Sequence, residues 1–212
     1  MPLGVPMGFF SRFAQQRRQQ MFDAFWNSMQ PEDGETCVEL GGPIYSASGV
    51  AQRFDRYLVV NIDRSAFRMV NELPHYEKAS LLQADAACIP LKDDAVDYVL
   101  SNALLEHIPG PLRRSFAREV NRVARKGYFI STPNFWFPLE PHYYMPFFQF
   151  LPERLKKWTT KRVRIGWIDE KTYEPISLAT TRELRRLFPQ AHITGLSFNP
   201  LVPETIIAWR RL

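Results

Sequence analysis

Four short runs of β-forming residues, most of them closed by a residue that can turn sharply or hold a ligand, constrain this chain most. They are Thr36–Leu40 before Gly41-Gly42-Pro43, Tyr57–Ile62 before Asp63, Val96–Leu100 before Ser101-Asn102, and Tyr128–Ser131. Helical patterns fall between them: Ser48–Phe54, a helix that Ser65 caps and that runs through Asn71, and Leu112–Ala124. In the last of these Phe116, Val120 and Val123 form an inward stripe, while Arg114, Arg118 and Arg122 face outward. Gly127 is read as its C-terminal cap. Apolar strands alternating with amphipathic helices require a parallel sheet with crossover helices. Ala191–Ser197 and Thr205–Arg210, joined by a turn containing Asn199-Pro200, predict an antiparallel hairpin at a sheet edge.

A chain of 212 residues is long enough for one such domain, and 45% apolar with 23% charged residues is globular composition. Runs of about 18 apolar residues, which a membrane span requires, are absent, and Met1–Phe13 lacks the pattern of a secretion signal. Cys37 and Cys88 make neither a disulfide framework nor a metal-ligand spacing, so a reduced, cytoplasmic protein with no metal is expected. The net charge of +5 admits nucleic acid or an anionic membrane as partner, and equally a solvated basic surface. Residues 1–35 are read as an amphipathic helical extension: Phe22, Phe25, Trp26 and Met29 recur at helical spacing behind the polar run Gln15–Gln20.

Ligands of an open parallel sheet bind at the carboxyl ends of its strands. Gly41-Gly42 lets a ligand approach the backbone, and Asp63, 22 residues beyond Gly41, fits a carboxylate accepting from both ribose hydroxyls of a nucleoside. Asp85 precedes Ala86-Ala87-Cys88-Ile89-Pro90-Leu91 and the strand ending at Ser101-Asn102. A nicotinamide dehydrogenase is disfavoured, since Gly-x-Gly-x-x-Gly is missing after the first strand.

The ordered set Val38-Glu39-Leu40-Gly41-Gly42, Val59–Asp63, Gln83–Ser101, Leu105-Glu106-His107-Ile108, Asn121-Arg122-Val123 and Thr132-Pro133-Asn134 resembles the class I S-adenosylmethionine-dependent methyltransferases, in the type 11-like branch with small-molecule and lipid-type acceptors. The resemblance covers roughly residues 36 to 135. It implies a Rossmann-like, doubly wound, mostly parallel seven-stranded sheet over residues 36–212, and S-adenosylmethionine as cofactor. It further implies that Gly41 and Gly42 face the methionine portion, Asp63 the ribose and Asp85 with Ala86 the adenine. Ser101 and Asn102 line the floor near the sulfonium, and Glu39 and Arg64 complete the cofactor set. The first loop departs from the family pattern, with Pro43 and Tyr45 at the places of two further glycines and Gly49 after a longer loop.

Methyl transfer from a sulfonium needs a nucleophile held close and aligned, and a hydroxyl acceptor gains from a general base. His107, His142 and Glu140 are the candidates, with Glu106 beside them; the Glu106-His107 pair can also serve a helix start or packing. Residues 133–175 are read as an aromatic helical cap: Pro133–Trp158 holds nine aromatics and five prolines, and Arg154, Lys156, Lys157, Lys161, Arg162 and Arg164 follow without an acid between them. Such a segment is either a greasy lid over an apolar acceptor with a basic flank gripping phosphate or an anionic membrane, or a cap packed on the core. Glu140 and His142 are expected to point the same way on an extended piece. The leading expectation is methylation, on oxygen, of a small, lipid-like or saccharide-type acceptor, at the inner face of a membrane if the flank binds one. The alternatives are an RNA methyltransferase, motivated by Arg114, Arg118, Arg122 and Arg125, and a methyltransferase fold that only binds a partner. Nucleic acid is the less favoured partner, because no RNA-binding module and no Asn-Pro-Pro-Tyr-like motif is present.

Overall fold

The computed structural model describes residues 7–42, 51–67, 79–143, 145–162, 175–197 and 202–212. Seven strands make the main sheet: β1 (Thr36–Leu40), β2 (Arg56–Asn61), β3 (Ala79–Gln83), β4 (Val96–Asn102), β5 (Ala124–Pro133), β8 (His192–Leu196) and β9 (Thr205–Arg211). Their order is β3-β2-β1-β4-β5-β9-β8; the first five are parallel, and β9 runs antiparallel to both β5 and β8. The predicted edge hairpin is therefore present, with β8 outermost. Chain order reverses between β1 and β4, the place in an open α/β sheet where ligands bind at the carboxyl ends of the strands.

Alternation along each strand divides the core in two. Val38, Leu40, Val60, Val99, Tyr128, Ile130 and Ile206 face one side, where α2 (Arg113–Val123) and α4 (Thr181–Leu187) cover them. Phe116, Val120 and Val123 are fully buried there, each side chain contributing roughly 1.5–3 kcal/mol of burial. Cys37, Tyr57, Val59, Tyr98, Leu100, Phe129 and Ile207 face the other side and pack against α1 (Met7–Met29) through Met21, Phe22, Phe25 and Met29. The helix expected as an extension is thus one of the three layers of the fold.

Three local readings change. Gly127 does not cap α2; Ala124 does so in extended geometry, and Gly127 lies inside β5. A Cβ there would sit 2.5 Å from the Arg210 carbonyl and 3.2 Å from Met29 Sδ, so glycine lets β9 and α1 close on β5. Arg122 is not a free outward arginine: it donates to the Ile89 and Leu91 carbonyls at 2.8 and 2.6 Å and pairs with Glu119 and Asp93. The cap is not wholly helical, because it opens with a small hairpin, β6 (Leu139–Glu140) and β7 (Met145–Pro146), before a 3₁₀ turn at Phe148–Phe150 and α3 (Glu153–Arg162). The loop with Pro43, Tyr45 and Gly49, and most of the helix read from Ser65 to Asn71, lie outside the described residues.

The amino-terminal edge of the sheet is locked by charge. Asp97, buried at the start of β4, accepts from Thr36 N and Oγ1 at 2.9 and 2.8 Å and from Arg125 Nη2 at 2.6 Å. Burial alone would push its carboxyl up, but the Arg125 and Thr36 donors outweigh it and hold the group below the usual carboxylate range. Lys126 pairs with Glu35 beside it. Among the described helices none is long and apolar enough to cross a membrane.

Candidate active site

The parallel strands deliver their ends to one edge in register: Leu40 stands against Val60 and Ser101, Asn61 against Gln83, and Asn102 against Ser131. At the end of β1, Gly41 has φ +81°, and a Cβ there would meet the Leu104 side chain at 2.8 Å. A Cβ on Gly42 would come 2.4 Å from Glu39 Cδ. Glu39 is buried and accepts from the Tyr57 hydroxyl at 2.9 Å, so it supports the Gly42 turn from beneath. Asn61, which sequence reasoning missed, donates from Nδ2 to the Gly41 and Gly42 carbonyls at 3.2 and 2.8 Å. Its Oδ1 accepts from the Asp63 backbone at 2.9 Å, so one amide fixes both the glycine turn and the position of Asp63.

Asp63 is exposed and preorganised, accepting from Ser65 N at 2.8 Å and from the Ser65 hydroxyl at 2.5 Å. These donors hold its carboxyl below the usual range, so it is charged and able to accept from a ligand. Arg64 follows it, exposed in the same turn. Asp85 turns the chain after β3, its Oδ1 accepting from Ala87 N at 2.8 Å, with Ala86 half-buried between them. At the end of β4, Ser101 is fully buried and its hydroxyl has no hydrogen-bond partner. Asn102 accepts from the Ser131 hydroxyl at 2.7 Å, and Ala103 then takes a left-handed φ of 53°. Strained backbone of this kind gathers at ligand sites. The glycine turn whose space a Cβ would fill, the aligned Asp63 and the orphaned Ser101 hydroxyl fit S-adenosylmethionine.

Beyond Asn102 a second constellation assembles from the 3₁₀ turn Leu105–His107 and the β6–β7 hairpin. Glu106 is buried; its Oε2 accepts from Thr132 Oγ1 at 3.0 Å, while Oε1 has no hydrogen-bond partner and lies 3.9 Å from His142 Nε2. Glu140 is also buried and accepts from His142 N, Tyr143 N and His142 Nδ1 at 2.8, 2.7 and 2.7 Å. Glu140 and His142 are therefore not parallel on an extended strand: the hairpin turn folds the imidazole back onto the carboxylate. With Nδ1 held by Glu140, Nε2 is turned toward Glu106. His107 is exposed, its ring edge-on to His142 with centroids 5.4 Å apart. Donor atoms of Glu106, His107 and His142 lie within 4.8 Å of one another, a set of types that could also surround a cation. The sequence candidates thus meet in one cluster, but Glu140 is occupied in holding His142 rather than poised as a base.

Fold and strand-end site together define a class I methyltransferase architecture. The N-methyltransferase NodS of Bradyrhizobium japonicum superposes with a TM-score of 0.63 at 10% identity, covering 94% of this chain and 96% of that one. Residues 41–131 match the family model of the methyltransferase domain. It is 31% identical over 110 residues to an uncharacterized methyltransferase of Mycobacterium avium, covering 50% of this chain and 43% of the relative. It is 27% identical over 143 residues to the demethylmenaquinone methyltransferase of Bacillus velezensis, covering 64% and 59%. The chain thus spans less than half the length of the first of these relatives.

Proposed function

We propose that the chain transfers a methyl group from S-adenosylmethionine to a hydroxyl of a small or lipid-like acceptor, saccharide-bearing lipids included. The observation that carries this reading is the His142 imidazole, fixed by Glu140 at 2.7 Å and facing Glu106 in the turn that follows β4. The demethylmenaquinone methyltransferase among the relatives supports an apolar acceptor.

Asp63 would hold the ribose, Asp85 and Ala86 the adenine, and Gly41 with Gly42 the methionine portion, while Ser101 and Asn102 line the floor. The cofactor, when bound, supplies an electrophilic methyl group. His142 Nε2 takes the acceptor hydroxyl proton as the oxygen becomes nucleophilic. The resulting imidazolium lies between the Glu140 and Glu106 carboxylates, which stabilise its charge, and Thr132 orients Glu106. His107, at the exposed rim, borders the acceptor.

The test is single-turnover methylation of apolar hydroxyl acceptors by the purified full chain, read as S-adenosylhomocysteine, beside calorimetric binding of S-adenosylhomocysteine. Binding with turnover that collapses in His142→Ala supports the reading. Failure to bind the cofactor product would overturn the enzyme itself, and unchanged turnover in His142→Ala would overturn the assigned base.

A further inference from the structure

All four strongly exposed aromatic side chains among the described residues fall in one segment: Trp136 (61% exposed), Phe147 (60%), Phe150 (48%) and Trp158 (53%), with Leu155 (48%) between the last two. Trp136, Phe147 and Phe150 are contiguous, with ring centroids of Trp136 and Phe147 at 6.1 and 6.4 Å from Phe150. Contiguous apolar surface of this kind is unfavourable in water unless something covers it.

The patch is held rigid rather than left loose. Gln149 donates to the Phe135 and Phe137 carbonyls at 3.0 and 2.7 Å, tying the Trp136 backbone to the turn that carries Phe147 and Phe150. Phe147 adopts φ +58°, a left-handed conformation that a bulky side chain rarely takes. With that turn Phe148 is buried while its neighbour Phe147 points into solvent.

The flank identifies what covers it. Arg154, Lys157 and Lys161, spaced to share one face of α3, are exposed, and the acid of that helix, Glu153, pairs with Lys156. A second copy of the chain docking face to face would bring these cations against themselves. Trp and Phe beside Lys and Arg are instead the composition of the lipid–water interface, where rings enter the headgroup region and cations meet anionic lipid.

We propose that Trp136, Phe147 and Phe150, with the basic face of α3, form a docking surface for an anionic lipid bilayer. The surface belongs to the same segment as Glu140 and His142. It does not depend on the acceptor assigned above.

The test is cosedimentation of the full chain with vesicles of phosphatidylcholine alone or mixed with phosphatidylglycerol. Binding to the mixed vesicles, weakened by salt, is expected. Trp136→Ser/Phe147→Ser/Phe150→Ser should lower partitioning at least roughly tenfold, and Arg154→Gln/Lys157→Gln/Lys161→Gln should abolish the preference for phosphatidylglycerol. S-adenosylhomocysteine binding and thermal melting, which read folding and not docking, should stay as in the parent. No binding to either vesicle overturns the proposal, as does binding that the aromatic variant leaves intact. A dimer in solution that the aromatic variant dissociates, without vesicle binding, assigns the patch to self-association and overturns it equally.

Discussion

The Glu140 carboxylate reaches to His142, two residues on in the β6–β7 turn, with Oε1 2.7 Å from Nδ1 while Oε2 accepts from the backbone N–H groups of His142 and Tyr143 at 2.8 and 2.7 Å. One buried acid thereby fixes the position and the orientation of one imidazole, and its own oxygens are taken up in doing so.

Removing the imidazole separates proton transfer from cofactor binding. His142→Ala is expected to lower kcat by about 10²–10⁴-fold with S-adenosylhomocysteine affinity unchanged. Glu140→Gln should lower kcat less, because the amide oxygen can still accept from Nδ1 but brings no charge to stabilise the imidazolium. Equal kcat values for parent and both variants would remove the cluster from the reaction.

Asp63→Asn tests the ribose assignment. The side chain keeps its shape but loses the charge that Ser65 prepares, so S-adenosylhomocysteine affinity should fall roughly ten- to a hundredfold by calorimetry. Asn61→Ala should weaken binding as well, since it releases the glycine turn and Asp63 together. Parent-like affinity in both variants would place the cofactor elsewhere.

Gly127→Ala is a test of the fold alone. Its Cβ would lie 2.5 Å from a backbone oxygen of β9, which cannot retreat as a side chain can. A loss of about 1–3 kcal/mol in denaturant unfolding is expected, with the midpoint shifted and the slope unchanged.

Asp97 sets the acid response of the sheet. Its carboxyl is held low in the folded state, so its contribution to stability is present above the unfolded value of about 3.9 and is lost as pH falls through the folded value. Asp97→Asn should therefore be destabilised at neutral pH, and its stability should depend less on pH below about 4 than that of the parent. A pH–stability curve parallel to the parent's would show that other carboxylates govern the acid limb.

The strands richest in Val and Ile were legible because buried parallel strands read as continuous apolar runs. Ala79–Gln83 was not: it has no β-branched or aromatic residue and lies at the sheet edge with an exposed face. The helix Thr181–Leu187 carried a readable signal in Thr180 followed by Glu183, whose N–H bonds the Thr180 hydroxyl at 3.1 Å, and it went unread. At the site the strand-end residues were legible by order and spacing. Asn61 was not, because its role arises from bonds to a turn some twenty residues earlier, which only β1–β2 pairing creates. Glu140 and His142 lie together, but a hairpin rather than a strand joins them, so strand alternation does not give their geometry.

The antiparallel insertion of β9 has a temporal consequence. Thr132 and Pro133, at the carboxyl end of β5, gain their outer partners in Ile206 and Thr205, and α1 rests on the same inserted strand. On the ribosome, the first helix and the five parallel strands emerge before the strand that closes over them. Until residues 205–211 clear the exit tunnel, β5 is an open edge and the apolar stripe of α1 lacks part of its seat.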